Sequence, residues 1–237
     1  MSAETDLQTG LPVGVPVNPS PARRPERVTL SGRLVDLVPL DAALHTEALA
    51  DGACGTEHAP LWPYLADGPF DDRAQFRALM ENKSTATDAV FFAIVDKPSG
   101  RAVGYASLMR IDVTNRVIEV GSILYTPALQ RTAGATEAMY LLARYVFEEL
   151  GYRRYEWKCN ALNEPSRKAA LRLGFTFEGI FRQHFIVKGR NRDTAWFSML
   201  DSEWPAIKAD FERWLDPANF DAAGRQKTPL LLASQPG

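Results

Sequence analysis

One helix-period segment held between two strand-period segments limits the folds open to this chain more than any other feature. In about Gly134–Leu150, residues Met139, Leu142, Val146 and Leu150 recur on one face, and Gly151 supplies the stop. Ahead of it, Arg116–Tyr125 reads as a strand. Behind it, in Arg154–Ala161, Tyr155, Trp157 and Cys159 alternate with Glu156, Lys158 and Asn160, the period of a half-exposed strand. A connecting helix of this length lets the two strands lie parallel in one sheet, joined by a right-handed crossover.

The other segments favour antiparallel pairing. Arg33–Pro39 is strand-like, Asp41 caps a helix over Asp41–Ala50, and a second helix runs from Phe70-Asp71-Asp72 to about Asn82. Val90–Asp96 and Ala102–Ile111 lead into Arg116–Tyr125 as a meander. After the crossover come a helix at Pro165–Leu173 and a hairpin with arms near Gly179–Val187 and Thr194–Leu200, turning across Lys188–Asn191. A last helix covers Ser202–Leu215. The order β-α-α-β-β-β-α-β-α-β-β-α predicts a single α+β domain with a mostly antiparallel sheet. Residues 1–27 carry Pro12, Pro16, Pro19, Pro21 and Pro25 and read as an extended arm, although Leu11, Val13, Val15 and Val17 alternate as if part of it lay on the body. The domain then spans 28–216, with a weakly patterned tail over 217–237.

Composition excludes more than it selects. A net charge of −2 with dispersed basic residues gives no footprint for nucleic acid, and Arg23-Arg24 and Arg190/Arg192 read as solvated loops. No apolar run approaches a membrane span, and the N-terminus lacks the layout of a secretory signal. Cys54 and Cys159 have no metal-ligand spacing, and His45, His58 and His184 are scattered. A cytoplasmic, metal-free protein, monomeric or homodimeric, is expected.

The chemistry concentrates where the strand ending at Tyr125-Thr126 meets the long helix. Pro127 stops the strand, and Ala133, Gly134 and Ala135 let a ligand approach the main chain. First-turn N–H groups without intrahelical acceptors point there, and the helix dipole favours an anion such as a pyrophosphate. A second segment, Asn163-Glu164-Pro165-Ser166, opens a helix after the next strand, at the same edge of the sheet. The loop lacks the G-x-G-x-x-G spacing of a dinucleotide fold.

With both segments in hand, the chain resembles the GNAT N-acetyltransferases, in the Rim-type branch that is similar to ribosomal-protein N-terminal acetyltransferases. The family's pyrophosphate loop, P-x-x-[R/Q]-x-x-G-x-[G/A], is matched by Pro127, Gln130, Ala133 and Ala135, with Ala133 in place of the first glycine. Asn163 and Ser166, Leu173-Gly174-Phe175, Glu178-Gly179, Arg182, Arg192-Asp193-Thr194 and Glu203-Trp204 follow in the branch's order.

The resemblance implies a GNAT fold in which the crossover strands splay to hold acetyl-CoA. Pantetheine would pair with main-chain groups at Leu124, Tyr125 and Thr126, and the pyrophosphate would rest on Gln130, Arg131, Thr132, Ala133, Gly134, Ala135 and Thr136. Asn163 and Ser166 would lie beside the pantetheine and sulfur. Family chemistry is direct attack of an amine on the thioester, the amine belonging to a peptide N-terminus or a small molecule.

That chemistry needs a base, donors for the developing oxyanion and a proton for the sulfur. A main-chain N–H near Leu124 or Tyr125 is the oxyanion donor, and Ser166 the group at the sulfur. Glu119 is the candidate base, placed by strict alternation on the face of Gly121, Ile123 and Tyr125; a water relay is the other route. Related enzymes can carry a hairpin carboxylate near Phe185, absent here, and alternation turns His184 away from that face. Trp62, Tyr64, Glu119 and His184 are the candidate acceptor contacts. A CoA-binding sensor without catalysis is the competing reading.

Overall fold

The computed structural model describes residues 3–230. A two-stranded hairpin, β1 (Ala3–Thr5) with β2 (Pro12–Gly14), stands apart from an eight-stranded sheet. The sheet's strands are β3 (Leu30–Ser31), β4 (Val35–Pro39), β5 (Val90–Asp96), β6 (Arg101–Asp112), β7 (Val117–Tyr125), β8 (Arg154–Asn160), β9 (Thr176–Val187) and β10 (Arg190–Leu200). They lie in the order β3-β4-β5-β6-β7-β8-β10-β9, and β7–β8 is the parallel pair that the crossover demands.

Five α-helices flank the sheet among the described residues: α1 (Ala42–Ala50), α2 (Arg73–Ser84), α3 (Ala133–Arg144), α4 (Glu164–Arg172) and α5 (Trp204–Leu215). Each of the first four opens on a polar cap. Asp41 accepts from the Ala43 and Leu44 amides, Asp72 from Ala74, Thr132 from Ala135, and Asn163 from Ser166. The sheet separates two cores. One, with Ile118, Val120, Leu142, Val146, Tyr155 and Phe211, lies under α3 and α5. The other, with Leu40, Leu49, Trp62, Phe76, Met80, Tyr105 and Leu124, lies under α1 and α2.

Several expectations are corrected by long-range contacts. The long helix is α-helical only to Arg144 and widens into a π turn over Tyr145–Glu149. The hairpin turn is two residues, Lys188 and Gly189, both at positive φ, so Arg190 and Asn191 belong to β10. Leu11, Val13, Val15 and Val17 are exposed rather than laid on the body. The arm docks further along: the Ala22 amide donates to Val113, Arg23 to the Leu150 carbonyl and Arg24 to that of Thr87. Arg23-Arg24 is therefore a tether, not a solvated loop. The tail folds back through a Trp214–Gln226 hydrogen bond of 3.0 Å, and the last part of it, 231–237, lies outside the described residues.

Glu137, a charged residue on the buried side of α3, has a structural task that periodicity does not reveal. Its carboxylate accepts from the amides of Arg33, Leu34 and Val35 at 2.9, 2.6 and 2.9 Å, closing the turn between β3 and β4. Glu137→Ala leaves those donors without an acceptor and should cost about 3 kcal/mol. A drop in the urea midpoint at unchanged m-value measures this; an unmoved midpoint would mean the turn is held by other contacts.

Candidate active site

Parallel pairing between β7 and β8 runs from Val117/Arg154 to Val120/Trp157 and stops there, although both strands continue. Beyond that point the strands diverge, leaving the splay that the family resemblance implies. A bulge in β7 sits at the divergence. Between the pairs Ser107/Gly121 and Tyr105/Leu124, residues Ser122 and Ile123 together oppose Ala106, and Ser122 takes φ 48°. Lys83 of α2 donates to Ser122 Oγ at 3.2 Å and pairs with Asp67 at 3.0 Å, so the bulge is tied to α2 and to the loop at 57–70.

The bulge overturns the face assignment expected from strict alternation. Ile123 and Tyr125 pack with Ile118 and Val120 under α3, while Leu124 joins the opposite core. Glu119 and Gly121 therefore share the α1–α2 face of the sheet, and Ile123 and Tyr125 do not.

Hydrogen bonding also sorts the strand-end residues. Thr126 donates its amide (3.1 Å) and its hydroxyl (2.6 Å) to Val103, and its carbonyl accepts from Leu129 and Gln130. It has no donor left for a cofactor. Leu124 is buried, and by the antiparallel alternation its main chain bonds to β6 while those of Ile123 and Tyr125 face the splay. The Tyr125 carbonyl is taken by the Gln130 side chain at 3.0 Å, leaving its N–H as the donor aimed into the gap.

At the start of α3, Arg131 adopts φ 61° and the Thr132 hydroxyl accepts from Ala135 at 3.2 Å. The amides of Arg131, Ala133 and Gly134 donate to no protein acceptor among the described residues, which suits an anion at the helix terminus. Gly134 serves a different purpose from the one expected. A Cβ there would lie 2.9 Å from Val35 Cγ1, so its bareness admits β4 rather than a ligand. Thr136 is buried and its hydroxyl accepts from Arg172 at 3.0 Å, away from the loop's outer surface.

Across the splay, Asn163 accepts from the Ser166 amide at 3.2 Å, and Ser166 Oγ accepts from Trp157 Nε1 at 3.0 Å. With that lone pair used, the hydroxyl proton is directed elsewhere, and the buried Cys159 thiol is adjacent. Burial raises the thiol's pKa against the hydrogen bond from Ser166.

Glu119 stands on the other face in a ribbon of charge. Arg110 Nε (3.0 Å) and Lys158 Nζ (2.9 Å) both meet its Oε2. Lys158 also holds Glu156 at 2.6 Å, and Arg154 joins Glu156 (2.7 Å) to Glu178 (2.5 Å). Glu119 Oε1 lies over Gly121, where a Cβ would approach it to 3.2 Å. Burial is the largest influence on Glu119 and pushes its carboxyl pKa up; Lys158 and then Arg110 pull the other way without cancelling it. Arg110, Lys158 and Gly121 are absent from the sequence-level candidates. The signal available was the polar side of β8, which places Lys158 on the sheet face opposite Trp157.

The hairpin supplies the far wall. Gln183 at φ 51° breaks the β9–β10 register, and Asp193 accepts from its amide at 2.7 Å. This bulge corrects the expectation for His184: its ring lies 3.8 Å from that of Phe185 and 5.9 Å from Trp196, so all three share one face. Burial, then Arg110, Arg192 and Lys158, lower the His184 pKa. Trp62 is fully buried, donates to Ala53 at 2.9 Å and packs edge-on against Phe70 and Phe76, so it belongs to the core and not to an acceptor surface. Tyr64 is partly exposed and donates to the Leu162 carbonyl at 3.2 Å; Lys188 donates to the carbonyls of Trp62 and Asp67. These bonds fasten the 57–70 loop over the splay. A concavity of about 840 Å³ beside α1, lined by Asp41, His45 and Arg101, lies away from all of these groups.

Residues 33–176 match the model of the acetyltransferase (GNAT) domain. The structure is similar to a GCN5-related N-acetyltransferase from Brucella melitensis, with 51% identity, TM-score 0.87, and coverage of 89% of this chain and 96% of that one. A Bacillus subtilis protein provisionally named as the ribosomal N-acetyltransferase YdaF is 33% identical over 109 residues, 46% of this chain and 59% of its own length. The fold is also that of RimL, a ribosomal L7/L12 α-N-protein acetyltransferase solved with coenzyme A, at 19% identity and TM-score 0.61 over 73% of this chain and 98% of that one.

Because Gly134 admits β4, Gly134→Val should destabilise the ligand-free protein by about 1–3 kcal/mol through overpacking. Thermal unfolding without any ligand measures it, and an unchanged melting temperature would return Gly134 to a purely ligand-facing role.

Proposed function

Since this chain belongs to the GNAT acetyltransferase family and is an acyltransferase, we propose that it carries an acetyl group from acetyl-CoA to an amine presented on the Glu119 face of the sheet. The observation that carries the reading is the gap between β7 and β8, which has free main-chain donors on one side and a carboxylate on the other. Residues fit for the cofactor are Tyr125 by its N–H, Arg131, Ala133 and Gly134 by their amides, Gln130, Thr132 and Ala135 by shaping the loop, and Asn163. Acetyl-CoA would supply the activated acetyl thioester. The catalytic domain is taken as 28–216, with an arm at 1–27 and a tail at 217–237, working in the cytoplasm. Among the described residues no helix is long and apolar enough to cross a membrane.

Three groups divide the chemistry. Glu119 receives the amine's proton through Oε1, the oxygen outside its ion pairs, directly or through a water. Its raised pKa brings it nearer the working range of a base at neutral pH, while Lys158 and Arg110 fix its orientation. The Tyr125 N–H, preset by the Ser122 bulge, stabilises negative charge developing on the transferred carbonyl. Ser166, whose oxygen accepts from Trp157, would turn its one proton from the Cys159 thiol to the departing sulfur.

These roles separate in kinetics. Glu119→Gln should lower kcat/KM about 10²-fold or more and remove the limb in which the rate falls as pH drops through the raised Glu119 pKa; a limb that persists would move the base elsewhere. Ser166→Ala should reduce kcat with CoA affinity retained. Arg131→Glu should weaken CoA binding while leaving the ligand-free melting temperature unchanged. Tight CoA binding with no acetyl transfer to any amine would instead identify a CoA-binding sensor.

A further inference from the structure

We infer that the acceptor amine carries a carboxylate and that Arg192 receives it. The inference rests on the acetyl-transfer reading above and names the substrate class of the same site. The polar ribbon across the sheet face is balanced without Arg192: Arg110, Lys158 and Arg154 are matched by Glu119, Glu156 and Glu178 through five ion pairs. Arg192 follows Arg190 in β10 and faces the same side as Thr194 and Trp196, the residues paired with Asn160 and Lys158. Its side chain forms no ion pair and donates no hydrogen bond to protein among the described residues, and the charge of Glu119 reaches it only at longer range.

Its neighbour in sequence, Asp193, does not neutralise it, because strand alternation turns that carboxylate to the opposite face, where its Oδ1 accepts from the Gln183 amide and the Asn191 side chain at 2.7 and 3.0 Å and Arg182 is the cation acting on it. The guanidinium instead lies on the Phe185 ring, 5.6 Å from the centroid, and Arg110 lies 5.6 Å from the same ring while holding Glu119. The surplus cation is thus one aromatic side chain away from the base.

Two unpartnered N–H groups, one of them on Arg192 itself, point to the same ligand chemistry. Arg192 Nε and Trp196 Nε1 are shielded from water and lack a partner, and both can only donate. Lys158 sits 3.9 Å over the Trp196 ring, so the indole is held by its face and not by its N–H. Burial, and then Arg110, Arg192 and Lys158, lower the pKa of the neighbouring His184, so positive charge at this wall is concentrated on the guanidinium. The Trp196 N–H together with a guanidinium that has no ion pair selects an oxygen acceptor with negative charge, one that Arg192 can hold in bidentate fashion. The carboxylate can come from an acidic residue early in a peptide or from a small amino acid.

The test pairs acceptors that differ only in charge: a peptide with aspartate against asparagine at its second position, and β-alanine against β-alaninamide, each with acetyl-CoA. In the better-used pair the acidic member should be favoured at least about tenfold in kcat/KM, and the pair that shows it identifies the source. Arg192→Gln should bring the two members within about twofold while CoA affinity is retained, and Arg192→Lys should restore part of the preference. Equal use of both members by the parent protein, or a preference that survives Arg192→Gln, would overturn the inference and leave acetyl transfer intact. Absence of transfer to every amine would overturn the acetyl-transfer reading instead. Calorimetric titration of the CoA-loaded protein with the two peptides and with the two small amines then decides separately. Binding of an acidic member that is lost in Arg192→Gln supports the carboxylate site; equal or absent binding sinks it.

Discussion

Four residue pairs of parallel pairing, ending at Val120 and Trp157, decide what the rest of this molecule can do. Had the ladder continued, the ends of β7 and β8 would have satisfied each other's main chains and closed the sheet. The bulge at Ser122 breaks the register at the point of divergence and bends β7 away, a common effect of one extra residue in a strand. Lys83 binds the Ser122 hydroxyl and Asp67 together, so the same cation secures the bulge and the covering loop. The gap is therefore set by the register of the sheet and by contacts from α2.

A second consequence of the bulge is division of labour between the sheet's faces. The α3 face holds a helix terminus with open amides, and the α1–α2 face holds a buried carboxylate among cations. Opposite chemical needs are met on opposite sides, and only the gap connects them. Burying Glu119 with Lys158 and Arg110 is costly in desolvation, and the ion pairs offset that cost without removing it, which is why the carboxyl remains raised. Such a group is held in one place yet still able to take a proton. The hairpin's own bulge, clamped by Asp193, repeats the device by turning His184 and Phe185 to one face.

The sequence by itself determined the order of elements from β4 to α5, the single parallel pair and the caps of the helices, because these follow from local periodicity and from side chains that satisfy nearby amides; the β1–β2 hairpin, in a segment that reads as an extended arm, and the short β3 were not legible. Asp41, Asp72, Thr132 and Asn163 all cap where local reading puts a helix start or a polar junction. The crossover also brings the ends of β7 and β8 to one edge of the sheet, beside Tyr125 and Asn163, whereas the splay itself was implied by the ordered family motifs.

Tertiary structure alone decided which atoms face that splay. Strict alternation assumes an unbroken ladder, so it misassigned Glu119 relative to Ile123 and Tyr125, and turned His184 away from Phe185; in both cases one residue at positive φ inverted everything beyond it. Thr126 looks like a ligand contact but its donors are consumed by Val103, and the missing side chain of Gly134 makes room for Val35 while its amide stays open, both partners being remote in the chain. Trp62 was drawn into the core for the same reason. Register and long-range packing are properties of pairs of segments, and no single segment carries them.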